Sequence, residues 1–219
     1  MWPWSELALL KRALRLYAGE HVLSRVLDQG ASALERSDAR VALTLMFVDV
    51  AAIHGMSEQS GSEGLTAILD GYLQAGTDCV LAHGGVFDNY VGDGFSAWWH
   101  DPMAACESAQ QIVRKVAALN RKNAELQLPS ISIGIGINTG MVALGNHGSC
   151  QRLRFTALGN SVNLASRVCG LANSHYNVPI AITDSTRRLL DGRFETRLLE
   201  SVHIKGSDGQ VSLYELSVR

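Results

Sequence analysis

The order of apolar and polar positions along the chain predicts a mixture of strands and helices. Residues 41–48 form a continuous apolar run of strand length, which is typical of a strand buried on both faces. Residues 85–91 and 95–99 form two further strand-like runs around Gly92-Asp93-Gly94, so we expect a hairpin with Asp93 at its tip. Helical spacing of apolar residues appears over 65–73 and again from 103 to 119.

A strand over 131–138 completes the order β-α-β-β-α-β, and further strands are predicted near 179–182, 203 and 211–216. That order is the ferredoxin-like split unit, so the predicted class is α+β, with an extended, mostly antiparallel sheet flanked by helices. Apolar residues recur at helical spacing twice between residues 4 and 37, which predicts two short amphipathic helices. We therefore divide the chain into a helical leader, 1–38, and one larger domain, 39–219.

Composition is that of a globular protein with a substantial core. Of the 219 residues, 47% are hydrophobic and 18% are charged, which argues against a disordered chain. A net charge of −2 gives no general attraction to nucleic acid or to anionic membranes. Basic residues interrupt the leucine-rich start, so we expect no membrane span and no signal peptide. The four cysteines have no metal-binding spacing and predict buried, reduced thiols in a cytoplasmic protein.

Two aspartates carry the first candidate chemistry. Asp49 stands where the apolar run 41–48 leaves the core, and Asp93 stands at the hairpin tip. Carboxylate oxygens on rigid strands suit Mg²⁺ or Mn²⁺, which retain several waters and are completed by substrate phosphates. The simpler interpretation is that Asp49 caps the following segment and that Asp93 is an ordinary turn residue. These two residues alone favour the simpler interpretation.

A third segment changes that balance. Residues 155–167 read Phe-Thr-Ala-Leu-Gly-Asn-Ser-Val-Asn-Leu-Ala-Ser-Arg, and together with Phe-Val-Asp at 47–49 and Gly-Asp at 92–93 they resemble the class III nucleotidyl cyclase catalytic domain. Gly-Ile-Asn-Thr-Gly at 136–140 and Lys-Gly at 205–206 are similar to two further motifs of that family. The resemblance extends from about residue 41 to 216, and several motifs in one order make it specific. It identifies 39–219 as a cyclase homology domain.

The resemblance implies a purine nucleotide cyclase that attacks the α-phosphate with the ribose 3′-hydroxyl. Asp49, the backbone of Val50 and Asp93 would hold two Mg²⁺ or Mn²⁺ ions per site. Ile53 and His54 would lie along the phosphates, although His54 replaces the threonine that is usual in the family. Lys205 would bind the terminal phosphates.

Asn163 and Arg167 lie four residues apart, and hence on one face of the predicted helix. The family resemblance implies that Asn163 orients the ribose and that Arg167 stabilises charge on the α-phosphate in the transition state, where a planar guanidinium suits the geometry. Asn89 and Thr156 would contact the base. Thr156 matches many bacterial adenylate cyclases, whereas Asn89 matches neither the lysine of adenylate cyclases nor the glutamate of guanylate cyclases. We therefore expect ATP to be favoured over GTP.

The family arrangement also implies a head-to-tail homodimer with shared sites, in which Asp49 and Asp93 of one protomer meet the nucleotide-binding residues of the other. A sensor or membrane domain could precede this segment in a longer protein. Three alternatives stay open: a guanylate cyclase, a catalytically inactive nucleotide-binding or dimerising module, and a different nucleotidyl transferase such as a diguanylate cyclase. The last would not explain the helix that carries Asn163 and Arg167.

Overall fold

The computed structural model describes residues 6–54, 61–204 and 209–218, with only the backbone for residues 54 and 61–65. Two leader helices come first, α1 (Glu6–Ala18) and α2 (Glu20–Gln29), and a 3₁₀ turn at Gly30–Leu34 follows. The α-helices and strands that follow are, in chain order, β1 (Asp38–His54), α3 (Gly61–Ala82), β2 (Val86–Val91), β3 (Gly94–Trp99), α4 (Pro102–Glu125), β4 (Ser130–Gly148), β5 (Leu153–Leu158), α5 (Asn160–Leu171), β6 (Ile180–Thr183), α6 (Asp184–Arg187), β7 (Thr196–His203) and β8 (Gln210–Leu216).

The sheet confirms the predicted α+β class. Its strands follow the order β2-β3-β1-β4-β6-β8-β7, and β5 pairs with β4 outside this path. The β4–β6 pair is parallel, whereas β1–β3, β2–β3, β6–β8 and β7–β8 are antiparallel. The first four strands, with α3 and α4, form the expected ferredoxin-like unit.

The chain separates into two compact units. The larger comprises Ala42–Met141 and Gly159–Arg219 and contains α3 to α6 with most of the sheet. The smaller comprises Met1–Val41 and Val142–Leu158, which join the leader to the distal part of β4 and to β5. The predicted division into a leader, 1–38, and a catalytic domain, 39–219, stays a prediction.

Alternation along β4 places two layers of helix against opposite faces of the larger unit's sheet. Ile135 and Ile137 are buried in the cluster that includes residues of α3 and α4. Gly136, between them, faces α5, where a Cβ would overlap the backbone nitrogen of Cys169. A glycine is therefore needed for α5 to approach the strand this closely, because any side chain would push the helix away.

Three details differ from expectation. β1 continues through His54, so Asp49 lies within the strand and not where it ends. The strand β5 was not predicted, and β4 runs to Gly148 to pair with it. Cys150 is exposed, although the other three cysteines are buried as expected.

Among the described helices, none combines the length and the apolar character needed to cross a bilayer.

Candidate active site

Asp49 and Asp93 lie together in the larger unit, as the sequence predicts. Val48 pairs with Phe95 in the β1–β3 ladder, which places the β2–β3 turn beside Asp49. The two carboxyl groups are within hydrogen-bonding reach of one another. Asp49 is half-buried, whereas Asp93 is exposed at the turn. One carboxyl group is thus fixed by the sheet, and the other is open to a ligand.

Gly94 makes this approach possible. A Cβ at Gly94 would overlap the carbonyl oxygen of Val48 and would lie 3.0 Å from both Cα and Oδ1 of Asp49. No other residue type fits in this space without moving β1 away from the hairpin. The glycine after Asp93 therefore does more than permit a turn, because it lets the hairpin that carries Asp93 pack closely against Asp49 on β1.

The electrostatics of the pair suit a cation. Burial, followed by the hydrogen bond and the charge of Asp93, raises the pKa of Asp49 above its ordinary value of 3.8. Within the described part of the chain, no basic side chain forms an ion pair with either carboxylate. A divalent ion would relieve this repulsion, and oxygen ligands suit Mg²⁺ or Mn²⁺.

The described residues supply few side-chain ligands for such an ion. Among residues 6–54, 61–204 and 209–218, no group of three or more His, Cys, Asp or Glu side chains gathers in one place. The pair would need backbone oxygens, water or phosphate oxygens to complete the coordination of a metal. Open coordination of this kind is typical of Mg²⁺ sites that bind nucleotide phosphates.

A cavity of about 110 Å³ adjoins Asp49 and reaches α5. Its walls include Val91 from the hairpin and Ser166 and Cys169 from the helix. Burial and the charge of Asp49 raise the pKa of the Cys169 thiol to about 12. The thiol donates a hydrogen bond to the carbonyl oxygen of Gly134 at 3.3 Å, so it packs as a neutral group and is not a nucleophile.

Helix α5 carries both Asn163 and Arg167, as predicted. Asn163 is exposed, and Arg167 is half-buried. The Nη1 atom of Arg167 is buried and has no hydrogen-bond partner among the described residues. A buried guanidinium nitrogen without a partner is unfavourable, so this side chain is suited to an anionic ligand supplied from outside the protomer.

Asn138 fixes the start of α5, a positioning role that the sequence motif did not reveal. Its Nδ2 donates to the carbonyl oxygen of Ser161 at 2.9 Å, and its Oδ1 accepts from Thr183 at 2.8 Å and Ser185 at 3.0 Å. Ser161 in turn donates to the carbonyl oxygen of Met141 at 3.0 Å. A satisfied buried network of this kind holds one arrangement of helix and strand.

Asn89 lies on β2 at a bulge. The β2–β3 register shifts between Phe87 and Asn89, so Asp88 is the extra residue and Asn89 pairs with Ser96. Ser96 donates a hydrogen bond to Asp88 at 3.2 Å. Bulges redirect side chains near functional sites, and this one determines the direction of the half-buried Asn89.

Thr156 belongs to the smaller unit, where it is half-buried on β5 and pairs with Gly145 of β4. Val50 and Ile53 are partly buried against the core, so only their backbone could serve a ligand. The side chain of His54 and the whole of Lys205 lie outside the described residues. Their predicted roles in phosphate binding stay predictions.

Comparisons with known proteins agree with this geometry. The family model for the adenylate and guanylate cyclase catalytic domain matches residues 36–217. An adenylate cyclase of Anabaena cylindrica is 33% identical over 205 residues, which are 89% of this chain and 40% of that protein. Adenylate cyclase 1 of Rhizobium meliloti is 27% identical over 92% of this chain and 31% of its own length. The chain therefore spans less than half of these curated relatives.

Solved structures point to the same fold. A bacterial light-regulated adenylyl cyclase superposes with a TM-score of 0.81 over 96% of this chain and 61% of that one, at 21% identity, which supports the fold alone. The adenylyl cyclase CyaB from P. aeruginosa gives 0.65 at 30% identity, covering 83% of this chain and 96% of that one. The guanylyl cyclase Cya2 gives 0.68 at 25% identity, covering 82% and 93%.

Proposed function

Since this chain belongs to the adenylate and guanylate cyclase catalytic domain family, we propose that it is an adenylate cyclase that converts ATP to 3′,5′-cyclic AMP and pyrophosphate. The observation that carries the proposal is the juxtaposition of Asp49 and Asp93, with which no basic side chain of the described residues forms an ion pair. Family membership explains why such an unfavourable pair of carboxylates exists. Two of the relatives are named adenylate cyclases, and this supports ATP as the proposed substrate of this chain.

The reaction forms one bond and breaks one. The ribose 3′-oxygen attacks the α-phosphorus, the bond to the bridging oxygen breaks, pyrophosphate leaves, and the 3′-hydroxyl proton passes to solvent. Two divalent cations, Mg²⁺ or Mn²⁺, would supply Lewis-acid stabilisation of the attacking and leaving oxygens. Asp49, the backbone of Val50 and Asp93 are the groups that would hold them. Ile53, His54 and Lys205 are proposed to lie along the phosphates.

Asn163 and Arg167 act on the reacting part of the nucleotide in this proposal. The exposed Asn163 amide orients the ribose so that the 3′-oxygen stands in line with the leaving group. Arg167 donates to the oxygens of the α-phosphate as charge gathers there, which gives its buried nitrogen a partner that the described residues do not provide. Asn89 and Thr156 read the base edge.

We further propose that the active form is a homodimer with two shared sites in the cytoplasm. Support comes from the set of residues, because one chain carries both the metal-binding aspartates and the nucleotide-binding Asn163 and Arg167. In a two-fold dimer, one protomer supplies the aspartates and its partner supplies the other group, twice. The leader, residues 1–38, would connect this catalytic domain to whatever precedes it in a longer protein.

The test is product formation by the purified chain at high protein concentration with Mn²⁺, and ATP and GTP assayed in parallel. An excess of cAMP over cGMP supports the proposal, and Asp93→Ala serves as the inactive control. An excess of cGMP would instead favour the guanylate cyclase alternative, which the likeness to Cya2 and the ambivalent amide of Asn89 keep open. Absence of both products with confirmed dimers would favour a nucleotide-binding module.

A further inference from the structure

The smaller unit contains a contact that neither the family match nor the catalytic residues explain. We propose that residues 20–37, named here the clamp segment, hold the β4–β5 hairpin in the conformation in which Thr156 recognises the base. The inference rests on the proposed base-reading role of Thr156. It makes Arg25 and Asn146 positioning residues for substrate specificity, although neither is proposed to touch the nucleotide.

The first contact lies beside Thr156. The guanidinium carbon of Arg25, on α2, stands 4.3 Å from the ring centroid of Phe155, and the His21 ring lies 5.8 Å from the same ring at a tilt of 50°. Successive strand residues point to opposite faces, so a clamped Phe155 presents Thr156 on the other face of the hairpin. A cation over an aromatic ring is an attractive and directional contact.

The second contact is on the same rung of the hairpin. Asn146 pairs with Phe155 across β4 and β5. Its Nδ2 donates to two carbonyl oxygens of the clamp segment, those of Ala33 at 2.8 Å and Glu35 at 2.7 Å. Both strands of the hairpin therefore contact the clamp segment at the same rung. The ring of Phe155 makes the contact on β5, and the amide of Asn146 makes it on β4.

The third contact involves the rung that contains Thr156 itself. Gly145 pairs with Thr156, and a Cβ at Gly145 would overlap the carbonyl oxygen of Ser37 and would lie 2.7 Å from Cα of Asp38. The backbone of the clamp segment thus presses directly on the partner of Thr156. A shift of this segment must move the rung, because close-packed backbone cannot absorb it locally.

The clamp segment should therefore affect nucleotide recognition separately from the metal-binding pair. Loosening the clamp segment should alter nucleotide affinity and base preference, because those depend on Thr156, while it leaves the Asp49 and Asp93 pair unchanged. It also gives any segment upstream of residue 20 a mechanical route to substrate recognition. Displacement of α2 would weaken the binding of the preferred base.

The experiment uses the full chain with Arg25→Gln and Asn146→Ala. Each should raise KM for ATP about threefold to tenfold and lower the ATP to GTP preference, the size expected for one lost ring contact or hydrogen bond. Arg25→Lys keeps a cation over the ring and should restore the wild-type values. Arg121→Gln, an exposed arginine on α4, removes the same charge without a ring contact and should change neither.

Hydrogen exchange supplies a readout that is independent of turnover. Amides of 153–158 should exchange faster in Arg25→Gln than in wild type, while Mn²⁺ binding to the metal-binding pair stays the same. If Arg25→Gln and Asn146→Ala keep the wild-type base preference while Thr156→Ala changes it, the proposed role of the clamp segment is wrong. The base-reading role of Thr156 would then still stand. An unchanged preference in Thr156→Ala would overturn the base-reading role on which the clamp depends.

Discussion

The carboxyl group of Asp49 lies within hydrogen-bonding reach of that of Asp93, and the neighbouring Gly94 lies so close to β1 that it leaves no room for a side chain of its own. The contact follows from the pairing of β1 with β3 and is unfavourable for two ionised groups. A protein that keeps such a pair in its folded state loses stability unless a cation compensates. This is what the proposed metal-binding role predicts, because a bound cation would stabilise the folded state.

The first prediction concerns pH and the metal-free protein. The pKa of Asp49 in the folded protein is raised above 3.8, so the protonated carboxyl group stabilises the fold. This stabilisation is complete below pH 3.8 and is lost as pH rises through the raised pKa. Asp93→Asn removes a charge that raises this pKa. In EDTA, the variant should have a higher Tm than wild type at pH 7 and a similar Tm near pH 3.

Thermal unfolding followed by circular dichroism across pH 3 to 7 measures this difference. Mn²⁺ should reverse the order at pH 7, because wild type gains more from binding than Asp93→Asn does. A Tm difference that stays constant across the whole pH range would show that the two carboxyl groups do not interact.

The second prediction concerns the shared site. An Asp49→Ala chain and an Arg167→Ala chain should each be nearly inactive, yet their mixture should recover up to about a quarter of wild-type turnover. Random pairing makes about half of the dimers mixed, and each mixed dimer has one intact site of two. Differently tagged chains allow the mixed dimer to be isolated and assayed. If isolated mixed dimers are inactive, each protomer must hold a complete site of its own.

The third prediction concerns base choice. Asn89 can rotate its amide to donate or accept, so it imposes a weak penalty on the wrong base. Asn89→Lys offers only donors and should raise the ratio of ATP to GTP turnover about tenfold. Parallel kcat/KM measurements for the two nucleotides test this expectation. Gln111→Lys, on α4, makes the same change from an amide to a lysine away from the site and should leave the ratio unchanged.

The fourth prediction concerns the position of α5. Asn138→Ala removes one hydrogen-bond partner each from the carbonyl of Ser161 and the hydroxyls of Thr183 and Ser185, which should lower the free energy of unfolding by about 1–3 kcal/mol. It should also lower kcat about tenfold, because the helix that carries Arg167 is no longer fixed. Denaturant unfolding and steady-state kinetics measure the two effects.

The control for this prediction is another buried asparagine. Asn123 donates to the carbonyl oxygen of Pro129 at 3.1 Å, at the far end of α4. Asn123→Ala should lose similar stability and keep its kcat under conditions where it remains folded. Equal losses of kcat in both variants would mean that activity depends on general stability and not on the placement of α5.

The amino-acid pattern was sufficient for the main elements of the larger unit. The apolar run at 41–48 predicted β1, glycines around Asp93 predicted the hairpin, and helical spacing predicted α3 and α4. These signals are local, because the side-chain periods of strands and helices are read within a few residues. The motif containing Asn163 and Arg167 likewise predicted their shared helix, since four residues make about one turn.

Other features depended on contacts between distant segments. Residues 153–158 mix arginine, threonine and apolar positions, and they become a strand because β4 extends to pair with them. The same pairing brings Phe155 under Arg25, a contact that no local pattern in the leader indicates. The positioning role of Asn138 likewise depends on distant groups, because the carbonyl of Ser161 and the hydroxyls of Thr183 and Ser185 that it binds come from other segments.

The sequence by itself therefore determined the main strands and helices of the larger unit and the residue types that could bind a nucleotide and its metal ions. The tertiary structure decided that Asp49 and Asp93 come within hydrogen-bonding reach, that glycine at 94 and 136 allows neighbouring elements to pack closely, and that the leader contacts the β4–β5 hairpin. The physical reason is the distance along the chain over which each kind of information acts. Periodicity records the burial of single residues, whereas close approach depends on the packing of segments far apart in the chain.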